Sequence, residues 1–360
     1  MNRSTFYIRL CILFSWIGLI FGTLWLTSIH ISPKSEENTL QIYGWPEMFL
    51  PEVIEEFEKE TGIKIRMHYY TTNEEMLVTL KATGGKGYDL IIPSDYAVGM
   101  LIKEDLLKPI DHRQLNFLDT LNPILLKHDY DPDNTYAIPY QWEVFGFGID
   151  TDYFQQHDIK PSWQTIFSPQ DPDFKLAMVN DPIEAVNFAS YFLWGASPKL
   201  DEKKVRKVRD LLEEQKSWVE AYAGLRADYL LATKNCHVAL CTSSYIFRSC
   251  TQYPHVKFVA PKEWTFISIE NMCIPKESTK DNLVYEFLNF IYKPENLGRD
   301  SNFFYTFPAT TNTTPYLDVP PDYLEFLENS HLFEGKLYFI RHLITEKEIR
   351  KIWVDIKSKS

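Results

Sequence analysis

Residues 40–107 read LQIYGWPEMFLPEVIEEFEKETGIKIRMHYYTTNEEMLVTLKATGGKGYDLIIPSDYAVGMLIKEDLL, and their pattern decides the fold class. LQIYGW (40–45) alternates up to Gly44, as a strand does. PEVIEEFEKETG then carries both signals of a helix. Pro51 sits at the first helical position, Val53, Ile54 and Phe57 share a face, and Gly62 follows the end. IKIRMHYY (63–70) predicts a second strand. Thr72 and Glu75 have capping-box spacing and open a helix that closes on Gly84 and Gly85. YDLIIPS (88–94) reads as a buried strand and YAVGMLIKEDLL as the helix after it. The order βαβαβα calls for parallel strands with right-handed crossovers.

Beyond residue 107 the pattern recurs less regularly. YAIPYQWEVFGFGID (136–150) and FISIENMCIP (266–275) are long extended runs. KLAMV, HVALC and VKFVAP predict strands, and 181–195 predicts a helix with Asp181 as N-cap and Pro182 at N1. The charged stretch 201–225 predicts a long helix in one or two pieces. Two further helices are expected over DNLVYEFLNFIYKPENLGRD and one over TEKEIRKIWVDIKS. No solenoid repeat and no Gly/Ser linker appears. The expected architecture is two α/β domains joined by extended segments near 140–148 and 266–274.

The 360 residues are 45% hydrophobic, 24% charged and 15% aromatic, a globular composition. A net charge of −12 argues against nucleic-acid binding and favours cationic partners. Arg3 and Arg9 precede an apolar run, Leu10 to Leu26, which has the form of an export signal. Residues 1–30 read either as a cleaved signal peptide or as an uncleaved anchor. Cys11 lacks the small residues that precede a lipidated cysteine. Cys236, Cys241, Cys250 and Cys273 follow; their spacing is not a zinc pattern. Buried thiols or one structural disulfide are expected, with the pairing left open.

G-x-S-x-G, P-loop and H-E-x-x-H motifs are absent. Gly84-Gly85-Lys86-Gly87 follows a helix and reads as a cap and turn, not a phosphate cradle. The run from Asp129 to Asn134 reads as a solvated turn, since a calcium loop would need Gly and Glu where Asn134 and Tyr140 stand. His237 beside Cys236 reads as packing. No cofactor or metal is expected. In open α/β sheets, ligands bind beyond the carboxyl ends of the strands. Three such places carry rings or carboxylates: Trp45 and Glu47; Ser94, Asp95 and Tyr96; Asp181 and Glu184. Trp45 reads equally as a packed ring or a ligand wall. Asp95 reads as a helix cap. Asp181 and Glu184 form a D-x-x-E cap, which leaves a second carboxylate oxygen free.

LQIYGWPEMFLPEVIEEFEKETGIKI, GYDLIIPSDYAVGMLIKEDLLKPID and YDPDNTYAIPYQW together resemble the bacterial spermidine/putrescine-binding proteins, extracytoplasmic solute receptors of ABC importers. The likeness runs over nearly all of the chain after residue 38. It is dense to residue 143, then re-anchors at PKEWTFISIENMCIPKES and FFYTFPA. It implies a two-lobe periplasmic-binding-protein-like fold. Each lobe would be a mostly parallel sheet flanked by helices, joined by crossing hinge segments. The first lobe would span 38–143 and 270–313, the second 144–269 and 314–360. It further implies a monomeric, non-enzymatic receptor in the periplasm that delivers a polyamine to a membrane permease. By matching position, Asp181, Glu184 and Glu270 would neutralise ammonium groups, with Glu47 at the mouth. Trp45, Tyr96 and Tyr305 would sandwich the methylenes, and Ser94 would add a hydrogen bond. Thr242 and Ser268 stand where two pocket tryptophans are expected, with Trp264 as the nearest replacement ring. Pro46 and Met48 replace Thr and Tyr. Another small cationic solute, a metal, or a secreted enzyme using the same carboxylates are the competing readings.

Overall fold

The computed structural model describes residues 37–157, 160–195, 199–223 and 227–358; the export segment and Cys11 lie outside them. The leading stretch forms β1 (Thr39–Gly44), α1 (Pro51–Thr61), β2 (Lys64–Tyr69), α2 (Asn73–Thr83), β3 (Leu90–Ile91) and α3 (Asp95–Lys103). Gly62 and Gly84 end the first two helices in the left-handed region, at φ 73° and 63°, where only glycine is unstrained. Thr72 accepts the Glu75 N–H at 3.1 Å, the first half of the capping box. The return half is displaced by one residue: Glu75 Oε2 accepts both the N–H and the hydroxyl of Thr71. Strand β3 is only two residues long because Pro93 has no N–H to continue the ladder.

The chain continues through β4 (Ala137–Asp150), α4 (Thr151–His157), α5 (Trp163–Phe167), β5 (Leu176–Val179), α6 (Pro182–Trp194) and α7 (Glu202–Gln215). Next come β6 (Val219–Ala223), α8 (Ala227–Ala232), β7 (Val238–Thr242), α9 (Ser243–Cys250), β8 (Val256–Val259) and β9 (Thr265–Cys273). The last elements are α10 (Asp281–Ile291), α11 (Pro294–Phe304), β10 (Phe307–Pro308), α12 (Pro321–Glu328), β11 (Leu337–Tyr338) and α13 (Glu346–Ser358). One predicted element differs. The helix foreseen over 201–225 stops at Gln215, and VEAYA is strand β6, parallel to β5. An open sheet edge beside β5 overrides the helical pattern of the preceding residues.

The sheet order is β2-β1-β3-β9-β4-β7-β5-β6. β1 and β3 are parallel, as are β5 and β6 and β5 and β7, whereas β4 and β9 run antiparallel. Strand β4 pairs with β9 up to Val144 and with β7 from Phe145 onward. One 14-residue strand therefore serves both halves of a two-lobe α/β fold. Rings fill the interior on each side. Phe57, Phe287 and Trp142 pack in one cluster, and Phe147, Trp163, Phe188 and Phe266 in another. Each such side chain contributes about 1.5–3 kcal/mol on burial.

Three smaller readings are settled here. Cys236, Cys241, Cys250 and Cys273 are all free, and the first, second and fourth are buried. His237 stacks on Tyr153 with centroids 3.8 Å apart. The turn at 129–134 is not solvated at its centre. Asp131 is buried and accepts the N–H groups of Thr135, Tyr136 and Ala137 at 2.8–3.0 Å, fixing the entry into β4. Among the described residues no cluster of His, Cys, Asp or Glu is placed to hold a metal. No described helix is long and apolar enough to cross a membrane.

Candidate functional site

A cavity of about 800 Å³ opens beyond the ends of β1, β3, β5 and β7, with β4 and β9 as its floor. Seven carboxylates line it: Glu47, Glu74, Asp95, Glu143, Asp181, Glu184 and Glu270. Only Arg248, Arg341 and His342 oppose them in charge. The ion pairs at its edge are His342–Glu74 (3.4 Å) and Arg341–Asp129 (3.6 Å).

Glu270 projects from β9 opposite Gln141 of β4. Ser94 Oγ donates to its Oε1 at 2.7 Å and the Trp45 indole N–H to its Oε2 at 2.7 Å. Burial pushes its carboxyl up to about 8, the charges of Asp95 and Glu143 add to that, and the Ser94 and Trp45 bonds oppose it. Glu184, in the first turn of α6, is also pushed up to about 8, by burial and then by Asp181 and Glu143. Glu143 is raised by burial although the Ser244 hydroxyl donates to it. Three half-buried carboxyls thus face one space, each holding its proton more tightly than it would in water.

Asp181 is the N-cap of α6. Its Oδ1 accepts the N–H groups of Ile183 (2.7 Å) and Glu184 (3.0 Å), and neither bond uses Oδ2. Asp95 differs from its expected role. Ser94 is the N-cap of α3, and the buried Asp95 carboxylate reaches across to accept the Ile269 N–H at 3.0 Å. It ties α3 to the crossing strand β9, and burial raises its carboxyl to about 7. Trp45 packs its ring on Tyr70, with centroids 4.5 Å apart. Glu47 is exposed at the mouth and holds a left-handed φ of 62°, which is costly for a residue with a Cβ. Tyr96 lines the cavity, but its hydroxyl is engaged, donating to Glu74 at 2.9 Å.

Tyr305 does not line the cavity, while its neighbours Phe304 and Thr306 do. It is the C-cap of α11 at φ 61°, and that left-handed turn sets its side chain apart from the flanking pair, against the core. Trp264 is no replacement ring either. It stacks on Trp163 at 4.2 Å inside the second cluster. Thr242, Ser268, Pro46 and Met48 all line the cavity.

The structure adds residues that sequence reasoning did not single out. Glu143 had a signal: a charge in the middle of an extended run that is otherwise uncharged up to its last residue, Asp150, and it is paired opposite Ser268. Tyr245 and Arg248 had one too, because they follow β7 as the other candidates follow β1, β3 and β5. Arg341 and His342 had none. Their segment is held by Asn187 of α6, whose fully buried amide accepts the Arg341 N–H (3.2 Å) and donates to the Arg341 carbonyl (2.8 Å).

Residues 52–320 match the family described as bacterial extracellular solute-binding protein. The spermidine/putrescine-binding periplasmic protein of Salmonella typhimurium is 28% identical over 266 residues, 72% of this chain and 74% of that one. The putrescine-binding periplasmic protein PotF of Escherichia coli is 25% identical over 372 residues, 95% of this chain and 98% of that one. Among solved structures, the spermidine/putrescine transporter substrate-binding protein PotD of Streptococcus pneumoniae superposes with a TM-score of 0.76 at 22% identity, covering 89% of this chain and 99% of that one. A matched segment this long, on a two-lobe fold with a cavity over its shared strands, places the chain in the bacterial extracellular solute-binding protein family.

Proposed function

We propose that the protein is a periplasmic receptor, not an enzyme, that captures a polyamine of the putrescine/spermidine class in this cavity and delivers it to a membrane ABC permease. The observation that carries the reading is the carboxylate set. Glu143, Glu184 and Glu270 face one cavity, and none has an ion-pair partner among the described residues. Such a set disfavours its own ionisation until a polycation enters. A carboxylate and an ammonium about 4 Å apart attract by roughly 4 kcal/mol before desolvation is subtracted. Trp45, Phe145 and Tyr245 put rings on the cavity wall, an apolar lining for the methylenes, and a ring face adds about 0.5–2 kcal/mol where an ammonium lies over it.

The names of the relatives support the ligand class and the compartment. The switch of β4 from β9 to β7 supports a hinge there, with lobes of 38–143 plus 270–313 and 144–269 plus 314–360; the receptor is proposed to act as a monomer. Asp181 and Glu184 would then close on Glu270, Ser94 and Trp45. Thermal denaturation with a solute panel tests this, because a ligand bound only by the folded state raises the melting temperature. Putrescine or spermidine should raise it in a dose-dependent way and neutral sugars should not. A shift with another cation and none with any polyamine would overturn the ligand; a shift with nothing would overturn the receptor role.

A further inference from the structure

Residues 339–342 follow β11 and run along one wall of the cavity, which Ile340, Arg341 and His342 line. The segment is anchored to the second lobe. Leu337 and Tyr338 pair with Thr265 and Phe266 of β9, and Tyr338 packs on Tyr191 of α6 with centroids 4.9 Å apart. Asn187, also of α6, holds the Arg341 backbone through both its N–H and its carbonyl.

The side chains of the same segment reach the first lobe. Phe339 makes T-shaped contacts with His128 (4.8 Å between centroids) and Tyr130 (5.6 Å). Both partners are fixed from behind. The His128 ring donates to the Ile124 carbonyl at 3.0 Å, and α3 comes so close to Tyr130 that a Cβ at Gly99 would stand 3.3 Å from the Tyr130 Cβ. Arg341 pairs with Asp129 at 3.6 Å and His342 with Glu74 of α2 at 3.4 Å. The His342 ring also meets Tyr96 of α3, 6.2 Å away.

These contacts are unequal. The Asp129 side chain is 92% exposed, so its pair with Arg341 is a rim pair that contributes little. His342 and Glu74 hold each other's charge: their hydrogen bond lowers the Glu74 carboxyl and raises the His342 imidazole. Phe339 adds ring packing on both sides, a contact that salt does not screen, and it is not among the residues lining the cavity.

We infer that Phe339, assisted by His342, clasps the second lobe to the first and is a positioning residue for ligand retention, setting how slowly an amine leaves the cavity without touching it. This rests on the two-lobe amine-receptor reading and adds what keeps the lobes together. Parting them along this wall breaks two ring contacts and two ion pairs at once. Those contacts exist only while the lobes are together, so weakening them speeds release and leaves capture nearly unchanged.

Stopped-flow tryptophan fluorescence of wild type, Phe339→Ala and Phe339→Tyr with putrescine and spermidine tests it. Dissociation should be about tenfold faster in Phe339→Ala, with association within about twofold of wild type, and Phe339→Tyr, which keeps the ring, should restore slow release. If Phe339→Ala does not fold, His128→Ala removes a partner ring from the other lobe and should speed release in the same way. Unchanged dissociation in the folded variants overturns the inference. So does a fall in association as large as the rise in dissociation, the mark of a merely structural role. Small-angle scattering of the same proteins without ligand gives a second readout: the radius of gyration should be larger in Phe339→Ala than in wild type, and an identical radius overturns the clasp. If wild type binds neither amine, the ligand reading fails by itself, and the scattering still decides whether the lobes are clasped.

Discussion

At the residue scale the site is a problem of protons. Glu184 and Glu270 have carboxyls raised to about 8 from an ordinary 4.5, chiefly by burial. The empty folded protein therefore retains protons that the unfolded chain gives up between these values. Its stability falls as pH rises from about 4.5 toward 8, and the charged form bears the full penalty above that. A bound dication removes the penalty by pairing with the carboxylates, so its binding releases protons and strengthens as pH rises. The stabilisation produced by saturating putrescine should accordingly grow between pH 6 and pH 8.5, as read from melting temperature with and without ligand. The window lies above the acid range in which lowered carboxyls such as Glu56 and Asp171 begin to matter. A ligand-induced shift that is flat or shrinking over this range would show that these carboxyls do not hold the cation. Single residues were legible when they stood at strand ends: Trp45, Ser94, Asp181 and Glu184 all came from that rule. Tyr305, which came from the family resemblance and not from that rule, lies off the cavity, because a left-handed cap redirects its side chain in a way no spacing reveals. Arg341 and His342 arrive through a tertiary tie to Asn187 and had no local pattern.

At the scale of elements, most boundaries follow from caps and breakers. Pro51 and the Thr72 box start the first two helices, and Gly62 and Gly84 stop them, where their chemistry requires. The failure at β6 teaches the converse: VEAYA pairs because β5 offers an edge, and nothing within residues 201–225 announces that. The shared strand β4 depends on close packing as much as on pairing. A Cβ at Gly146 would stand 2.9 Å from the Val259 carbonyl oxygen and overlap the Phe258 ring. Gly146→Ala should then cost about 1–3 kcal/mol, the usual penalty of overpacking, read as a lowered urea midpoint with unchanged slope. Wild-type stability in that variant would mean that β8 does not pair closely against β4 at Gly146.

At the scale of the molecule, one strand runs through both lobes, and acids from each side converge on the space above it. The fold was recoverable from the order of its elements, and the cavity largely from the rule that ligands bind at strand ends. The central claim is that the convergent carboxylates grip an amine. Asp181→Asn isolates it, since asparagine is as good an N-cap as aspartate and only the charge is lost. Calorimetric titration of wild type and Asp181→Asn with putrescine and spermidine at pH 8 is the most direct measurement. The account predicts one site per chain at micromolar affinity or better, near −8 kcal/mol, weakened at least about tenfold by the substitution at unchanged melting temperature. Equal affinity in the two proteins, or no heat in either, would contradict it.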